Sequence, residues 1–460
     1  MYSVYHIREN MRVPDDWKKA IIVKVPKKGD LSKCDSFRGI SLLSVPSKVL
    51  GRVVIERIKE GIDTKLRCEQ AGFRKGRGTT EQVFILRNII EQSIEWQAPL
   101  YINFVDFAKA FDSLDRSRLW KILRHYGIPR ELVDLIKAMY ADSCCSVIDN
   151  GKMSNWFDVK TGVRQGCVMS GFLFIMAVDW VMTSTVRNRR RGLRWRFTSM
   201  LEDLDYADDI ALLASNYAHM QEKSSRLQSI GSFIGLEVNI QKTKIMRLNS
   251  KTQHPISING TSLEDVDQFV YLGSEVGGYS GAESDISRRL CLARGAFVKL
   301  KPVWNSTAYQ YKTKLKILAV LAVLLFGAET WKMTEHDVCR LDRFQRGCLR
   351  KIFRIFWPEK ITNKDLYKKA EMMPVSDMIA DRRWRWLGHV LRLESINHAK
   401  VSLTWSPEGR RRRGRPKTTW RRTVESEWRR LGFNSWTQVE QVAKDRAKWK
   451  ELTCGLTHPP

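Results

Sequence analysis

The sequence predicts an α+β fold. Three observations support it: strand and helix patterns alternate from Tyr101 to about Gly278, the pattern turns helical from Ser284 to about Phe356, and the chain beyond Pro358 is rich in Trp and Arg. The first hundred residues hold short apolar segments, basic turns such as Lys27-Lys28-Gly29-Asp30, and Gly-rich loops. Next, Tyr101-Ile-Asn-Phe-Val-Asp106 is a β-rich run that ends in a carboxylate. A helix starts near Asp115, with Leu119, Leu123 and Tyr126 on one face, Gly127 as its stop and Pro129 beyond. The apolar stretch Phe172 to Met182 is a second helix, entered through a loop at Arg164, Gln165 and Gly166. In LEDLDYADDIALLA (201–214), Asp208 and Asp209 occupy a hairpin tip and Ile210 to Leu213 reads as a buried strand. Met220, Leu227, Ile230 and Ile234 have helical spacing, with Asn216 as N-cap and Gly235 as stop. A strand through Leu236–Ile240 follows.

At 460 residues the chain is long enough for about two or three domains. Its 79 Lys and Arg against 50 acids leave a net charge of +29, which points to a polyanionic partner. Nucleic acid and an anionic membrane surface both suit that charge. No apolar run approaches the ~18–20 residues of a membrane span; the longest, Ile317 to Ala328, reads as core, and no membrane partner is expected. The start, MYSVYHIREN, has no apolar h-region. The nine cysteines are scattered without a CxxC pair, so free thiols in a reducing compartment are expected. Cys339, Cys348, His389 and His398 form a loose constellation whose spacings fit no familiar zinc finger, and they read as core cysteines and ordinary histidines.

Asp208 and Asp209 are the most informative pair. Two like charges at a tight turn repel by roughly 1 kcal/mol or more, and a cation between them relieves the strain. Read alone, the pair is also an ordinary polar turn. Asp106, at the end of its own strand, changes the balance, because adjacent antiparallel strands bring it to the same place. Hard carboxylate oxygens without a Cys or His neighbour favour magnesium over zinc. Three such groups suit two-metal phosphoryl transfer, with ions roughly 3.5–4 Å apart.

FVDFAKAFD (104–112), GVRQGCVMSGFLF (162–174), YADD (206–209), GLEVNIQKTKIM (235–246) and FVYLGS (269–274) resemble, in order, the polymerase motifs of a reverse transcriptase. The blocks from Val13 to Val54 and EQAGFRKGRGTTEQVFILR (69–87) narrow the resemblance to the enzyme of a non-LTR (LINE-type) retrotransposon. It implies a right-hand polymerase: fingers over 1–100, a ferredoxin-like palm over 101–278 and a helical thumb over 279–357, with the reverse transcriptase domain at about 13–278. A basic, mainly helical nucleic-acid-binding region over 358–460 completes the expected organisation. The implied activity is RNA-directed DNA synthesis from dNTPs on a primer 3′-OH, with RNA template and DNA primer as partners and two Mg²⁺ ions, replaceable by Mn²⁺, as cofactors. A catalytically silent, nucleic-acid-binding derivative is the alternative; an intron maturase or telomerase-like polymerase shares the palm but not the GFRKGRGT block or the long Trp/Arg tail.

The resemblance also implies roles. Asp106, Asp208 and Asp209 become the metal ligands, and Phe111 the ring that excludes a ribose 2′-OH, although a core aromatic would also fit there. Gln165 contacts the incoming nucleotide, with Gly166 allowing close backbone approach. Lys27, Lys28 and Arg38 are candidate triphosphate contacts from the fingers, with solvated surface charges the competing reading. Lys242 matches the lysine that protonates leaving pyrophosphate, with Lys244 its competitor. Tyr271, Leu272 and Gly273 match the primer grip.

Between Asp381 and Arg430, fifteen Lys and Arg face five acids, with Trp384, Trp386, Trp405, Trp420 and Trp428 interleaved. That mixture suggests base stacking combined with phosphate contact. Arg413-Gly-Arg415-Pro-Lys417 resembles an AT-hook core, and it reads equally as a flexible basic linker and nuclear localisation signal. A nuclear location with room for a cytoplasmic ribonucleoprotein stage is expected. The chain begins almost at the first fingers motif and shows no CCHC knuckle with a downstream nuclease motif, so the expectation is a product lacking its endonuclease, with nicking supplied from elsewhere.

Overall fold

The structure, a computed structural model, describes residues 12–27, 30–187, 190–278, 281–318, 320–411, 413–414 and 417–457. Lys28 and Arg415, both expected to contact phosphate, lie outside the described residues. Near the N-terminus, strands β1 (Ala20–Pro26) and β2 (Phe37–Leu43) pair antiparallel. Helix α1 (Val45–Asp63) follows, capped by Ser44, whose hydroxyl accepts from the Ser47 N–H. Helix α2 (Thr79–Glu95) is buried over most of its surface. Then come the central strand β3 (Leu100–Val105), helix α3 (Arg116–His125) and strand β4 (Cys144–Asp149), which returns parallel to β1. Asp115 caps α3 by accepting from Arg118 N–H at 2.8 Å, as its position before the apolar face anticipated.

Helix α4 (Ser170–Val186) leads to the hairpin β5 (Asp203–Tyr206) and β6 (Asp209–Ala214), then to helix α5 (Tyr217–Phe233) and strand β7 (Lys244–Leu248). The sheet runs β7-β3-β6-β5, each neighbouring pair antiparallel, with a short edge strand at Glu264–Asp265. In order of occurrence this is fourth, first, third, second: the ferredoxin-like arrangement of a polymerase palm. The fourth strand corrects an expectation. It is Lys244–Leu248, not Leu236–Ile240, because the backbone of the earlier segment is engaged elsewhere: Asn239 N–H donates to the Asp106 carbonyl at 2.8 Å and Ala108 N–H to the Glu237 carbonyl at 2.8 Å. Those bonds tie the segment to the chain just past β3 and leave only an isolated bridge, Phe107 to Val238.

Side chains alternate across β3. Tyr101 and Val105 enter a cluster with Ile210 of β6 and with α4 and α5 through Phe174, Val178 and Leu227. Leu100, Ile102 and Phe104 enter the opposite cluster, with Phe84 and Ile85 of α2. That second cluster also contains the C-terminal tryptophans. Helices α6 (Gly281–Lys299) and α7 (Glu335–Ile352) form a third, helical cluster, as the thumb pattern anticipated. Helix α8 (Val375–Leu391) joins the two: Val375 and Ile379 pack in the helical cluster, Trp384 and Leu387 against the palm side. Among the described residues no helix is long and apolar enough to cross a membrane.

The stacking role expected for the C-terminal tryptophans is therefore overturned for most of them. Trp384, Trp405, Trp420 and Trp428 are buried, and Trp386 is half-buried with its ring edge on Phe84. The reason is the exposed apolar face of the palm and α2, which these large rings cover. Three of their indole N–H groups are used internally: Trp420 donates to the Glu329 carbonyl at 2.9 Å, Trp384 to Glu427 at 2.8 Å and Trp405 to the Arg194 carbonyl at 2.7 Å. Trp420 also meets Phe84 edge-on, with ring centroids 4.7 Å apart. Trp420→Ala is expected to cost about 3–5 kcal/mol of stability in urea unfolding; a loss below roughly 0.5 kcal/mol, usual for a surface ring, would restore the stacking role.

Candidate active site

The register of β3 and β6 builds the site. Val105 faces Ile210, so Asp106 and Asp209 leave the sheet at the same end. In the β5–β6 hairpin Tyr206 pairs with Asp209, leaving Ala207 and Asp208 as the turn. Ala207 takes the left-handed conformation, φ +57°. The turn is held from outside by a residue that the sequence reading passed over. Gln70, fully buried, accepts from Ala207 N–H at 2.9 Å and from Gly72 N–H at 2.8 Å through one side-chain oxygen. Gly72 is obligatory there, since a Cβ would stand 2.4 Å from Ala207 N. The segment Glu69–Ala71 runs beside β5, with Ala71 N–H donating to the Asp205 carbonyl at 2.9 Å.

Below the turn, the buried carboxylates Asp179, Asp203 and Asp205 share one cation, Arg67. Asp203 receives Arg67 Nη1 at 2.7 Å and Asp179 the Nε at 3.3 Å. A signal for this network is visible in hindsight: two acids spaced i, i+2 in an otherwise apolar strand require a buried positive partner.

Asp106 N–H donates to Thr243 Oγ1 at 3.3 Å, while Lys242 Nζ approaches Asp106 Oδ2 at 3.4 Å. Lys244 turns the other way, to Glu264 at 2.5 Å and the Gln241 carbonyl at 2.8 Å. Burial raises the pKa of Asp209 to about 6, with repulsion from Asp208 and Asp106 adding to it. Asp208 is raised as well, by burial and by Asp106, against which the charge of Arg38 acts. The three carboxylates thus feel one another without closing into one tight shell. Among the described residues, only Cys68, Glu69 and His398 bring three ligand atoms within 4.8 Å of one another. An all-oxygen set whose charges repel fits a hard divalent cation.

The remaining expected residues surround this point unevenly. Phe111 is half-buried and stacks on Phe174, centroids 4.3 Å apart at 17°. Gln165 lends its carbonyl to Ser41 N–H of β2 at 2.7 Å, and its side chain is half-exposed. Gly166, φ +99°, lies so close to β2 that a Cβ would be 2.8 Å from the Ser41 carbonyl. Arg38 is exposed on β2; Lys27 at the end of β1 is exposed, and its charge acts on Asp112. Tyr271 belongs to the hairpin of β8 (Gln268–Tyr271) and β9 (Ser274–Gly277) but is buried, its hydroxyl donating to the Leu204 carbonyl at 3.0 Å. Only Leu272 and Gly273, at φ +49° and +79°, reach the surface of that turn. Arg413 and Lys417 are exposed and line a cavity of about 340 Å³ with Glu91 and Glu95 of α2, a cavity that none of the three aspartates lines.

Residues 25–276 match the family model described as reverse transcriptase (RNA-dependent DNA polymerase). The chain belongs to the reverse transcriptase family. It is 29% identical over 219 residues to the transposon TX1 uncharacterized 149 kDa protein of Xenopus laevis, covering 47% of this chain and 17% of that protein. It is 26% identical over 272 residues to the Pol polyprotein of the type-2 retrotransposable element R2DM of Drosophila melanogaster, covering 57% of this chain and 25% of that one. It is also 26% identical over 412 residues to the probable RNA-directed DNA polymerase from transposon BS of Drosophila melanogaster, covering 83% of this chain and 43% of its relative. The chain spans less than half the length of these three curated relatives. A solved telomerase from Candida albicans aligns at TM-score 0.45 and 13% identity, over 78% of this chain and 66% of that one, too weakly to carry an argument. Reverse transcriptases use divalent metal ions, in keeping with the carboxylate set.

The raised pKa of Asp209 sets a sign. Its neutral form is favoured on folding, so that contribution to stability is complete below the ordinary value of 3.8 and is lost as pH rises through about 6. Asp209→Asn is therefore expected to melt above the wild type at pH 7.5, with the gap closing towards pH 4. Mg²⁺ should raise the wild-type midpoint more than the variant's. A variant no more stable than wild type at pH 7.5 would contradict the repulsion.

Proposed function

We propose that this chain is the RNA-directed DNA polymerase of a non-LTR (LINE-type) retrotransposon, extending a DNA primer 3′-OH with dNTPs on an RNA template. The observation that carries the reading is the meeting of Asp106, Asp208 and Asp209 at one end of a ferredoxin-like sheet inside a reverse transcriptase domain. The three aspartates would hold two Mg²⁺ ions, with Mn²⁺ as a substitute. When bound, the metal lowers the pKa of the primer hydroxyl and neutralises triphosphate charge.

Each neighbouring group has a distinct task. Lys242, beside Asp106, delivers a proton to the departing pyrophosphate oxygen, a position that Lys244 gives up to Glu264. Phe111, stacked on Phe174, would exclude a ribose 2′-OH from the nucleotide site. Arg38, whose charge reaches Asp208, binds the triphosphate from the fingers, with Lys27 and Lys28 assisting. Gln165, backed by β2, contacts the nucleotide, and Gly166 lets the loop approach. The turn at Leu272 and Gly273 presses on the primer end, with Tyr271 as its buried foot. Arg413, Arg415 and Lys417 contribute phosphate contacts and a nuclear address.

Primer extension on poly(rA)/oligo(dT) with Mg²⁺ tests the reading. Wild type should extend the primer, and Asp208→Asn should fall by more than roughly 100-fold. A wild type that binds template but never extends it would leave the silent nucleic-acid-binding alternative. With the same assay, Phe111→Ala should raise ribonucleotide incorporation relative to deoxynucleotide; unchanged discrimination would return Phe111 to the core.

A further inference from the structure

We propose that Cys68, Glu69 and His398 form a zinc site that fastens the C-terminal region to the catalytic hairpin. Cys68 Sγ lies 3.1 Å from His398 Nε2, and Glu69 Oε1 lies 3.6 Å from the same nitrogen. In a tetrahedral zinc shell, sulfur at about 2.3 Å and nitrogen at about 2.0 Å stand about 3.5 Å apart, and nitrogen and carboxylate oxygen about 3.3 Å. Those two separations need only a few tenths of an ångström of adjustment, and all three ligand atoms lie within 4.8 Å of one another. One thiol, one imidazole and one carboxylate make a borderline-soft set that suits zinc and not magnesium. His398 is the single member of the loose Cys339, Cys348, His389 and His398 constellation that joins such a cluster among the described residues.

The surroundings favour a bound ion. His398 is buried, with its ring beside that of Trp195 (centroids 6.1 Å apart) and its Nε2 facing both Cys68 and Glu69. Cys68 is exposed, and the three residues line a cavity of about 500 Å³ that also reaches Glu394, leaving room for water as fourth ligand. Binding displaces two protons to solvent, that of the Cys68 thiol and that which His398 Nε2 carries in its ion pair with Glu69, and a coordination bond takes the place of each.

The placement gives the site a purpose. Cys68 and His398 are 330 positions apart in the chain. Cys68 and Glu69 immediately precede Gln70, which holds the turn of Asp208, and Glu69 accepts from Asp205 N–H at 3.3 Å through its carbonyl. His398 opens helix α9 (His398–Thr404), whose Ala399 and Leu403 pack with the C-terminal tryptophans. One ion would therefore clamp the cover of the palm to the segment supporting the catalytic turn.

The full-length chain, purified without chelator and passed into metal-scavenged buffer, is expected to retain one equivalent of zinc. Cys68→Ser should lose it, whereas the exposed control Cys339→Ser should keep it. Cobalt substitution should give a thiolate-to-cobalt charge-transfer band in wild type and Cys339→Ser but not in Cys68→Ser. Added Zn²⁺ should raise the melting midpoint of wild type and leave that of Cys68→Ser where its metal-free wild-type counterpart lies. His398→Gln repeats the loss from the other side of the site. A wild type that retains no zinc and takes up no cobalt, or a Cys68→Ser chain that binds as wild type does, would reduce the cluster to a hydrogen-bonded ion pair and overturn the proposal.

Discussion

The palm sheet is apolar on both faces, and covering both faces organises the rest of the molecule. Tyr101 and Val105 project from β3 to one side, Leu100, Ile102 and Phe104 to the other, and all are buried. A sheet buried twice needs two layers of cover. Helices α4 and α5, the crossovers of the ferredoxin-like unit, supply the first. The second comes from distant parts of the chain: α2 before the sheet and the Trp-rich helices after the thumb. The C-terminal region is thereby structural, whatever nucleic acid its outward-facing arginines meet. At +29 the chain still carries ample charge for a polyanion.

Carboxylates around the sheet fall into two electrostatic classes. Asp179, Asp203 and Asp205 share the one guanidinium of Arg67, Asp179 also accepts from the Tyr126 hydroxyl, and burial pushes the Asp179 and Asp205 carboxyls up; that buried network underlies the base of the β5–β6 hairpin. Asp208 and Asp209, one step further along, are pushed up by burial first, with repulsion from Asp106 adding to it, while Asp106 has Lys242 at 3.4 Å. The difference is one of exposure: the first set is buried and needs both the Arg67 charge and retained protons, whereas the second borders solvent and can take a cation from it. Gln70 and Gly72 link the two, since they hold the backbone of the turn without offering a charge that would quench its carboxylates. The turn is rigid and yet electrostatically unsatisfied, which is the state a metal-dependent centre needs.

Local signals accounted for much of this. The caps at Asp115 and Asn216, the stops at Gly127 and Gly235, the apolar α4 and the acidic hairpin all stand where their sequences place them. Each depends on neighbours a few residues away, so a short window contains the cause. Leu236–Ile240 shows where a window fails. Its alternating pattern suits a strand, but its backbone groups are captured by the segment after β3, which no local pattern reveals. The tryptophans fail in the same way: a ring between arginines looks identical in sequence whether it stacks on a base or on Phe84.

By itself, the sequence determined the chemistry: which residues are acidic, basic or aromatic, in what order, and therefore the reverse transcriptase family and the polymerase motifs. It also contained the periodicities of most helices and strands. Only the tertiary structure decided which groups meet. It placed Lys242 and not Lys244 beside Asp106, buried Tyr271 beneath the turn that Leu272 and Gly273 expose, and brought His398 to Cys68 across 330 positions. The physical reason is that the identity of a side chain is a local property, while its burial and partners depend on how surfaces far apart in the chain remove one another from water.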